Sequence, residues 1–156
     1  MMEGSVTKFF ADAMLGKLAR WMRTLGYDVE YDTHIEDTEL IKRATAEQRL
    51  ILTRDTRLIE RRGARKRVFF IKSDLVGEQL RQVAGEFPPD DSLLLTRCLR
   101  CNALLKDVPK ESVKAKVPPY VFQTQAEFSV CPVCQRTYWG ATHRERMLED
   151  LRKFLE

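Results

Sequence analysis

The fold is decided by residues 8–31, which read KFFADAMLGKLARWMRTLGYDVEY. Lys8–Ala11 predicts a short strand. Apolar residues then recur at helical spacing, and Gly26 gives this helix a stop signal. The apolar positions are Leu15, Leu18, Ala19, Met22 and Leu25. Residues 27–31 alternate as a second strand, so the stretch predicts a right-handed βαβ unit with parallel strands.

The same alternation continues along the chain. A second helix begins at Asp37, and Leu50–Thr53 reads as a buried strand that is followed by a short helix. Residues 67–72 form another strand-like run, and Asp74 opens a further helix. Strands that alternate with helices of this length predict an α/β fold around a central, mostly parallel sheet.

A domain boundary is predicted where the sequence FPPDD, residues 87–91, interrupts the alternation. We therefore expect one domain over residues 6–90 and a smaller one over residues 91–156. In the second domain, residues 120–130 predict a strand. The apolar residues from Met147 to Leu155 predict a terminal amphipathic helix that packs back on the body of the protein.

Composition limits the classes of protein that this chain can belong to. Its 156 residues are 44% hydrophobic and have a formal net charge of +4. These values exclude an acidic disordered tail and a highly charged histone-like protein. No run approaches the ~20 apolar residues of a bilayer span, and the first residues lack the pattern of a signal peptide. We expect a cytoplasmic protein with no membrane partner.

Four cysteines form two Cys-x-x-Cys pairs, Cys98 with Cys101 and Cys131 with Cys134. Each pair turns two sulfurs towards one point, and two pairs supply the four corners of a tetrahedral Zn²⁺ site. A redox pair and inert buried cysteines are the alternatives. A site with four sulfur ligands leaves no position for water, so we expect one structural zinc ion in a zinc ribbon.

Carboxylates follow the predicted strands at the edge where functional groups gather in α/β sheets. Asp12, Asp55 and Asp74 stand at or just past the ends of three strands, and Asp37 begins a helix that could reach the same crevice. Asp32 is a competitor, and simple helix capping is the alternative for each residue. Carboxylates in such a cluster repel one another, and a bound cation relieves this repulsion. Oxygen ligands suit Mg²⁺ or Mn²⁺.

Arginines predict a polyanionic substrate near the same edge. They are dense between positions 54 and 67, and two more stand on the first helix. The candidate nucleic-acid-binding residues are Arg20, Arg54, Arg57, Arg61 and Arg62. A solvated helix face is the alternative, but the position of the run just after a candidate catalytic aspartate favours phosphate binding.

Five segments resemble the Mut-seven C-terminal RNase domain family. They are FFADAMLGKLARWMRTLGYDVEYD (9–32), LILTRDTRLI (50–59), SDLVGEQLRQV (73–83), TRCLRCNALL (96–105) and CPVCQRTYWGATH (131–143). The resemblance implies a three-layer, PIN-like nuclease domain with a four-cysteine zinc ribbon. It also implies a nuclease that acts on single-stranded RNA with a divalent metal. Carried over residue by residue, Asp12, Asp37, Asp55 and Asp74 match the acidic positions of the nuclease centre.

The leading hypothesis is therefore a metal-dependent ribonuclease. Asp12, Asp37, Asp55 and Asp74 are its catalytic candidates, and Asp12, Asp55 and Asp74 would bind Mg²⁺ or Mn²⁺. A non-catalytic RNA-binding module with a structural zinc ribbon is the alternative. A phosphoacceptor domain of the receiver type is a weaker one, because a zinc ribbon is foreign to that architecture. A homo-oligomer and a protein partner both stay open.

Overall fold

A computed structural model describes residues 6–140 and 142–155, with the backbone alone at 142–144. The chain divides into two compact units between Leu95 and Thr96. The first unit contains β1 (Lys8–Ala11), α1 (Gly16–Thr24), β2 (Asp28–Tyr31), α2 (Asp37–Glu47), β3 (Leu50–Thr53), α3 (Thr56–Ile59), β4 (Val68–Phe70) and α4 (Val76–Glu86). The second contains β5 (Lys106–Val108), α5 (Pro119–Thr124), β6 (Phe128–Val130), β7 (Thr137–Trp139) and α6 (Thr142–Leu155).

The first unit is built on a four-stranded parallel sheet in the order β2-β1-β3-β4. β1 is central, and Phe10 stands beside Glu30 of β2 on one side and Ile51 of β3 on the other. The predicted α/β fold with a parallel sheet is therefore confirmed. The predicted domain boundary after residue 90 stays a prediction, as does the packing of the terminal helix on the body.

Neighbouring phenylalanines of β1 supply the two faces of this sheet, because successive strand residues point to opposite sides. Phe10 joins Leu40 and Ala44 of α2 and Ile51 of β3 in one fully buried cluster. Phe9 lies on the other face, where its ring makes edge contacts with Tyr27 and Phe87 at centroid distances of 5.7 and 5.2 Å. Phe87 directly follows α4, and Tyr27 follows α1, which contacts both β1 and α4. Helices therefore lie on both faces, which gives three layers.

The second unit has a smaller antiparallel sheet in the order β5-β6-β7. Its core consists of apolar residues from the segment that connects β5 to β6 and from β6 itself. They are Val113, Val117, Val121 and Phe128, with Trp139 packed against them. This apolar cluster lies next to the cysteine region in sequence and stabilises the same unit.

Two details of the predicted elements are wrong. Residues 120–130 are not one strand, because α5 occupies Pro119–Thr124 and only Phe128–Val130 is extended. Pro119 stands in the first turn of α5, where its fixed φ favours a helix and its missing N–H costs nothing. The fourth helix begins at Val76 rather than at Asp74, and Leu75, just before it, is 60% exposed.

Within the described residues, no helix combines the length and the apolar character that a bilayer span needs.

Candidate active site and metal centre

The candidate active site lies at the carboxyl ends of β1 and β3. β2 lies on one side of β1, whereas β4 lies on the far side of β3. The chain therefore leaves these two central strands in opposite directions. In open α/β sheets, ligands bind beyond the strand ends at this kind of switch point. Asp12 follows β1 and Asp55 follows β3, so both stand at this place.

Thr53, the last residue of β3, links the two aspartates. Its hydroxyl donates to Oδ2 of Asp12 at 2.7 Å and accepts the backbone N–H of Asp55 at 3.0 Å. Thr53 is fully buried, and the backbone N–H of Asp12 donates to Leu52 at 2.9 Å. Sequence reasoning did not include Thr53 in the site. The available signal was a hydroxyl residue two positions before a strand-end aspartate, where it can form a local turn.

Asp12 is a buried carboxylate with few partners. It is 7% exposed, and the Thr53 hydroxyl is its hydrogen-bond donor. Within the described residues, no lysine, arginine or histidine forms an ion pair with it. A buried charge is costly unless it is paired or binds a metal, so Asp12 fits a cation ligand.

Asp55 also has a structural role at the start of α3. Its Oδ1 accepts the backbone N–H of Arg57 at 2.9 Å, as an N-cap residue does, and lies 3.4 Å from Nε of the same arginine. These contacts hold the pKa of the Asp55 carboxyl below its ordinary value, although partial burial opposes the shift. Asp55 is therefore a carboxylate at neutral pH.

The other two predicted acidic residues lie in different surroundings. Asp37 Oδ2 is 3.6 Å from Nη1 of Arg61, and Nη2 of that arginine donates to the hydroxyl of Thr38. Asp74 is exposed. Among the described residues, the four cysteines are the only group of three or more metal-binding side chains whose donor atoms lie within 4.8 Å of one another. The four aspartates therefore do not form a compact cage.

Four of the five candidate nucleic-acid-binding arginines, Arg20, Arg57, Arg61 and Arg62, are exposed. Arg57 is 90% exposed at its side chain, whereas Arg61 is engaged by Asp37 and Thr38. Arg54 differs from them, because its Nε is buried and has no hydrogen-bond partner among the described residues. Unsatisfied buried donors are rare in proteins, and this one belongs to the residue between Thr53 and Asp55 in the sequence.

The second unit brings the four predicted cysteine ligands together. All four Sγ atoms lie within 4.8 Å of one another, and those of Cys98 and Cys134 are 3.8 Å apart. A tetrahedral site with Zn–S distances of ~2.3 Å separates its sulfurs by about 3.8 Å. The cluster therefore has the dimensions to hold a zinc ion.

The two cysteine pairs have the same local geometry. In each, the residue after the second cysteine has a left-handed backbone, with φ of 69° at Asn102 and 65° at Gln135. The N–H of that residue donates to the carbonyl of the first cysteine at 2.9 Å in both pairs. Backbone N–H groups also point at the first sulfur, from Cys101 to Cys98 and from Cys134 to Cys131. These amides stabilise negative charge on a sulfur, as a zinc thiolate requires.

Tyr138 adds a side-chain contact that sequence reasoning missed. Its hydroxyl lies 3.1 Å from Sγ of Cys98 and accepts the backbone N–H of Leu99. Burial opposes ionisation of Cys98, but hydrogen bonds from this hydroxyl and from backbone amides bring its pKa down to about 7. Burial and the neighbouring sulfurs raise the pKa of Cys101 to about 12. A divalent cation is what allows all four sulfurs to be thiolates together.

Comparison with known proteins identifies a family. The model of a family described as the Mut7-C RNAse domain matches residues 7–151, which is nearly the whole chain. No curated protein and no solved structure matches the chain.

Proposed function

Because the chain belongs to the Mut7-C RNAse domain family, we propose that it is a metal-dependent ribonuclease that hydrolyses phosphodiester bonds of single-stranded RNA. The observation that carries this proposal is the buried Asp12 carboxylate, which lies at the switch point of the sheet with no cationic partner among the described residues. The family makes RNA the expected substrate, and the aspartates supply oxygen ligands for Mg²⁺ or Mn²⁺.

Asp12 and Asp55 are the residues that would hold this metal ion, with Asp37 and Asp74 as further acidic candidates. Magnesium is commonly bound by one or two carboxylates together with waters and substrate phosphate, so a compact cage of aspartates is not required. When bound, the ion lowers the pKa of a coordinated water and stabilises negative charge on the phosphodiester.

The neighbouring side chains orient these ligands and contact the substrate. Thr53 holds Oδ2 of Asp12, which leaves Oδ1 for a cation. Arg57 holds Asp55 in its ionised form. The guanidinium of Arg54, whose buried Nε has no partner among the described residues, would contact a phosphate of bound RNA. The exposed arginines Arg20, Arg57 and Arg62 would contact more of the RNA backbone, and Arg61 would do so from its contact with Asp37.

The test is cleavage of an end-labelled single-stranded RNA in the presence of Mn²⁺ or Mg²⁺. Asp12→Asn and Asp55→Asn are expected to lower the cleavage rate at least about 100-fold, because each removes the charge of a metal ligand while keeping its shape. Thermal unfolding shows whether the variants are folded.

Asp32→Asn is the matched control. Asp32 also follows a strand of the sheet, but it is exposed and accepts the backbone N–H of His34 two residues on. This variant is expected to cleave at the parental rate. Parental cleavage by both Asp12→Asn and Asp55→Asn would show that the assigned centre is wrong.

A non-catalytic RNA-binding module is the second candidate, and the capping role of Asp55 favours it. An aspartate that serves only to begin α3 needs no metal. This alternative predicts salt-sensitive RNA binding with no cleavage product under any divalent metal.

A further inference from the structure

The positive charge of the chain is concentrated in one segment of the second unit. Up to Leu95 the sequence has 16 basic and 16 acidic residues, so the first unit is formally neutral. From Thr96 onwards it has 11 basic and seven acidic residues. Residues 97–116 hold six of those basic residues and two of the acidic ones, and the remainder of the second unit is balanced. The whole formal excess of +4 therefore lies within about 20 residues.

The lysines of this segment are not neutralised by carboxylates. Within the described residues, no carboxylate lies within 4.0 Å of Lys106, Lys110, Lys114 or Lys116. In the first unit, by contrast, Arg43, Arg49, Arg57 and Arg61 each have an acidic partner. Unpaired lysines carry their full charge to any anion that approaches them.

Two of these lysines are held over the same aromatic ring. The ammonium nitrogens of Lys110 and Lys114 lie 4.7 and 5.9 Å from the ring centroid of Phe122. A cation within about 6 Å of a ring centroid is attracted by the ring. Val113, between the two lysines, and Val121, next to Phe122, are both buried in the core of the unit, so the backbone that presents the lysines is well anchored.

Two lysines beside one ring, without acidic partners, favour the binding of an anion. The ring attracts each ammonium group, and within the described residues no carboxylate lies within 4.0 Å of either one. A phosphate group supplies the missing negative charge, and lysine binds phosphate as a point charge without a strict geometric requirement. Tyr120 lies on α5 together with Phe122. It is 69% exposed and offers a ring on which an unpaired base can stack.

We propose that Lys110 and Lys114, mounted on Phe122, form a second RNA-binding surface that takes the phosphates of single-stranded RNA. This proposal deepens the proposed function and rests on it for the identity of the polyanion. It differs from the arginine sites because the lysines belong to the second unit and carry no catalytic group. The second unit thus contributes affinity for the substrate in addition to its structural zinc site.

The test measures binding rather than cleavage. Fluorescence anisotropy with a labelled single-stranded RNA is recorded on the full chain carrying Asp12→Asn. No Mg²⁺ or Mn²⁺ is added, and no chelator is present, so that zinc stays bound. Introducing Lys110→Ala together with Lys114→Ala is expected to weaken binding about tenfold. The slope of log affinity against log salt concentration is expected to fall by about 1.4, since each single-strand phosphate contact contributes ~0.7.

The matched control is Arg152→Ala together with Lys153→Ala. It removes the same charge from exposed positions on α6 in the balanced part of the unit, and it is expected to leave the affinity within about twofold of the parent. Zinc content and thermal unfolding report whether each variant keeps its fold.

Three results would overturn the proposal: an unchanged affinity and salt slope in the Lys110 and Lys114 variant, an equal loss in the control, or binding of polyglutamate as tight as that of RNA. Tighter binding of blunt duplex RNA than of the single strand would overturn the single-stranded assignment. This experiment measures binding and not cleavage, so its result does not depend on nuclease activity. If the nuclease proposal fails, the separate cleavage assay leaves the RNA intact although the protein binds it.

Discussion

Thr53 shows how one side chain can organise a site. A hydroxyl can donate one hydrogen bond and accept others, and Thr53 uses both capacities, on Asp12 and on the backbone of Asp55. Valine has the same shape but offers neither function. The positions of Asp12 and Asp55 at the switch point therefore depend on a residue that carries no charge.

Gly26 imposes the most stringent backbone requirement of the first unit. It ends α1 with a φ of +94°, and the N–H of the next residue, Tyr27, donates to Met22 at 3.0 Å. A Cβ at this position would lie 2.4 Å from the carbonyl oxygen of Leu93 and 2.6 Å from its Cβ. Backbone conformation and the close approach of Leu93 thus both require glycine here.

Gly26→Ala is expected to lower the free energy of unfolding by about 2–5 kcal/mol. The left-handed conformation costs an L-residue roughly 1–2 kcal/mol, and the contact with Leu93 adds an overpacking cost of about 1–3 kcal/mol. Urea denaturation measures the change.

Gly85→Ala serves as the control in the same experiment. Gly85 is in α4, and a Cβ there would meet nothing within 4 Å. Its replacement is expected to raise stability by up to ~1 kcal/mol, because alanine favours a helix over glycine. Equal effects of the two substitutions on stability would contradict the requirement for glycine at position 26.

The amino-terminal ends of the strands are joined by Arg49, at the opposite edge of the sheet from the candidate active site. Its Nε lies 2.7 Å from Glu47 at the end of α2, and its Nη1 lies 2.7 Å from Asp28 of β2. Nη1 also donates to the carbonyl of Phe9 in β1. One guanidinium thus connects α2, β1 and β2 beside the start of β3.

Arg49→Ala is expected to lower the free energy of unfolding by about 2–4 kcal/mol, because it leaves partly buried carboxylates and a buried carbonyl without their donor. Arg49→Lys is expected to recover only part of this loss, since an ammonium group cannot reproduce the planar fork. Arg57→Ala, at a side chain that is 90% exposed, is expected to change stability by less than about 0.5 kcal/mol. Equal stability of Arg49→Ala and Arg57→Ala would refute this role.

The whole molecule contains two units that are stabilised in different ways. The first has a layered hydrophobic core around its parallel sheet. The second has a small valine and phenylalanine core and four clustered cysteines, and a metal bound to those cysteines would add to the stability of so small a core. A zinc ion held by the four cysteines would therefore stabilise the second unit above all.

The purified chain is expected to contain about one zinc ion, as measured by elemental analysis. Removing it with a chelator under reducing conditions is expected to expose the amides after Thr96 to hydrogen exchange, while the amides of β1 and β3 stay protected. Protein purified without a chelator that contains no zinc, or equal loss of protection in both units, would contradict this expectation.

Local sequence patterns were sufficient to predict most of the elements and to indicate the family. The short run of Lys8–Ala11, the helical spacing that ends at Gly26 and the two cysteine pairs are short-range signals, and the structure contains the elements that they predict. The matching family model confirms the resemblance that those segments indicated. Residues 120–130 were misread because their apolar residues suit a strand, whereas the prolines before them favour a helix.

The contacts that give the sites their chemistry were decided by tertiary structure alone. Asp12 and Thr53 are 41 residues apart, Cys98 and Tyr138 are 40 apart, and Phe122 meets two lysines that precede it in the chain. No local periodicity encodes such pairs, because they depend on which strands become neighbours and on how a loop folds over its core. The amino-acid sequence by itself determined which residues carry charge, sulfur and hydroxyl groups. The three-dimensional fold decided which of those groups are buried beside one another, and burial and proximity are what turn them into sites.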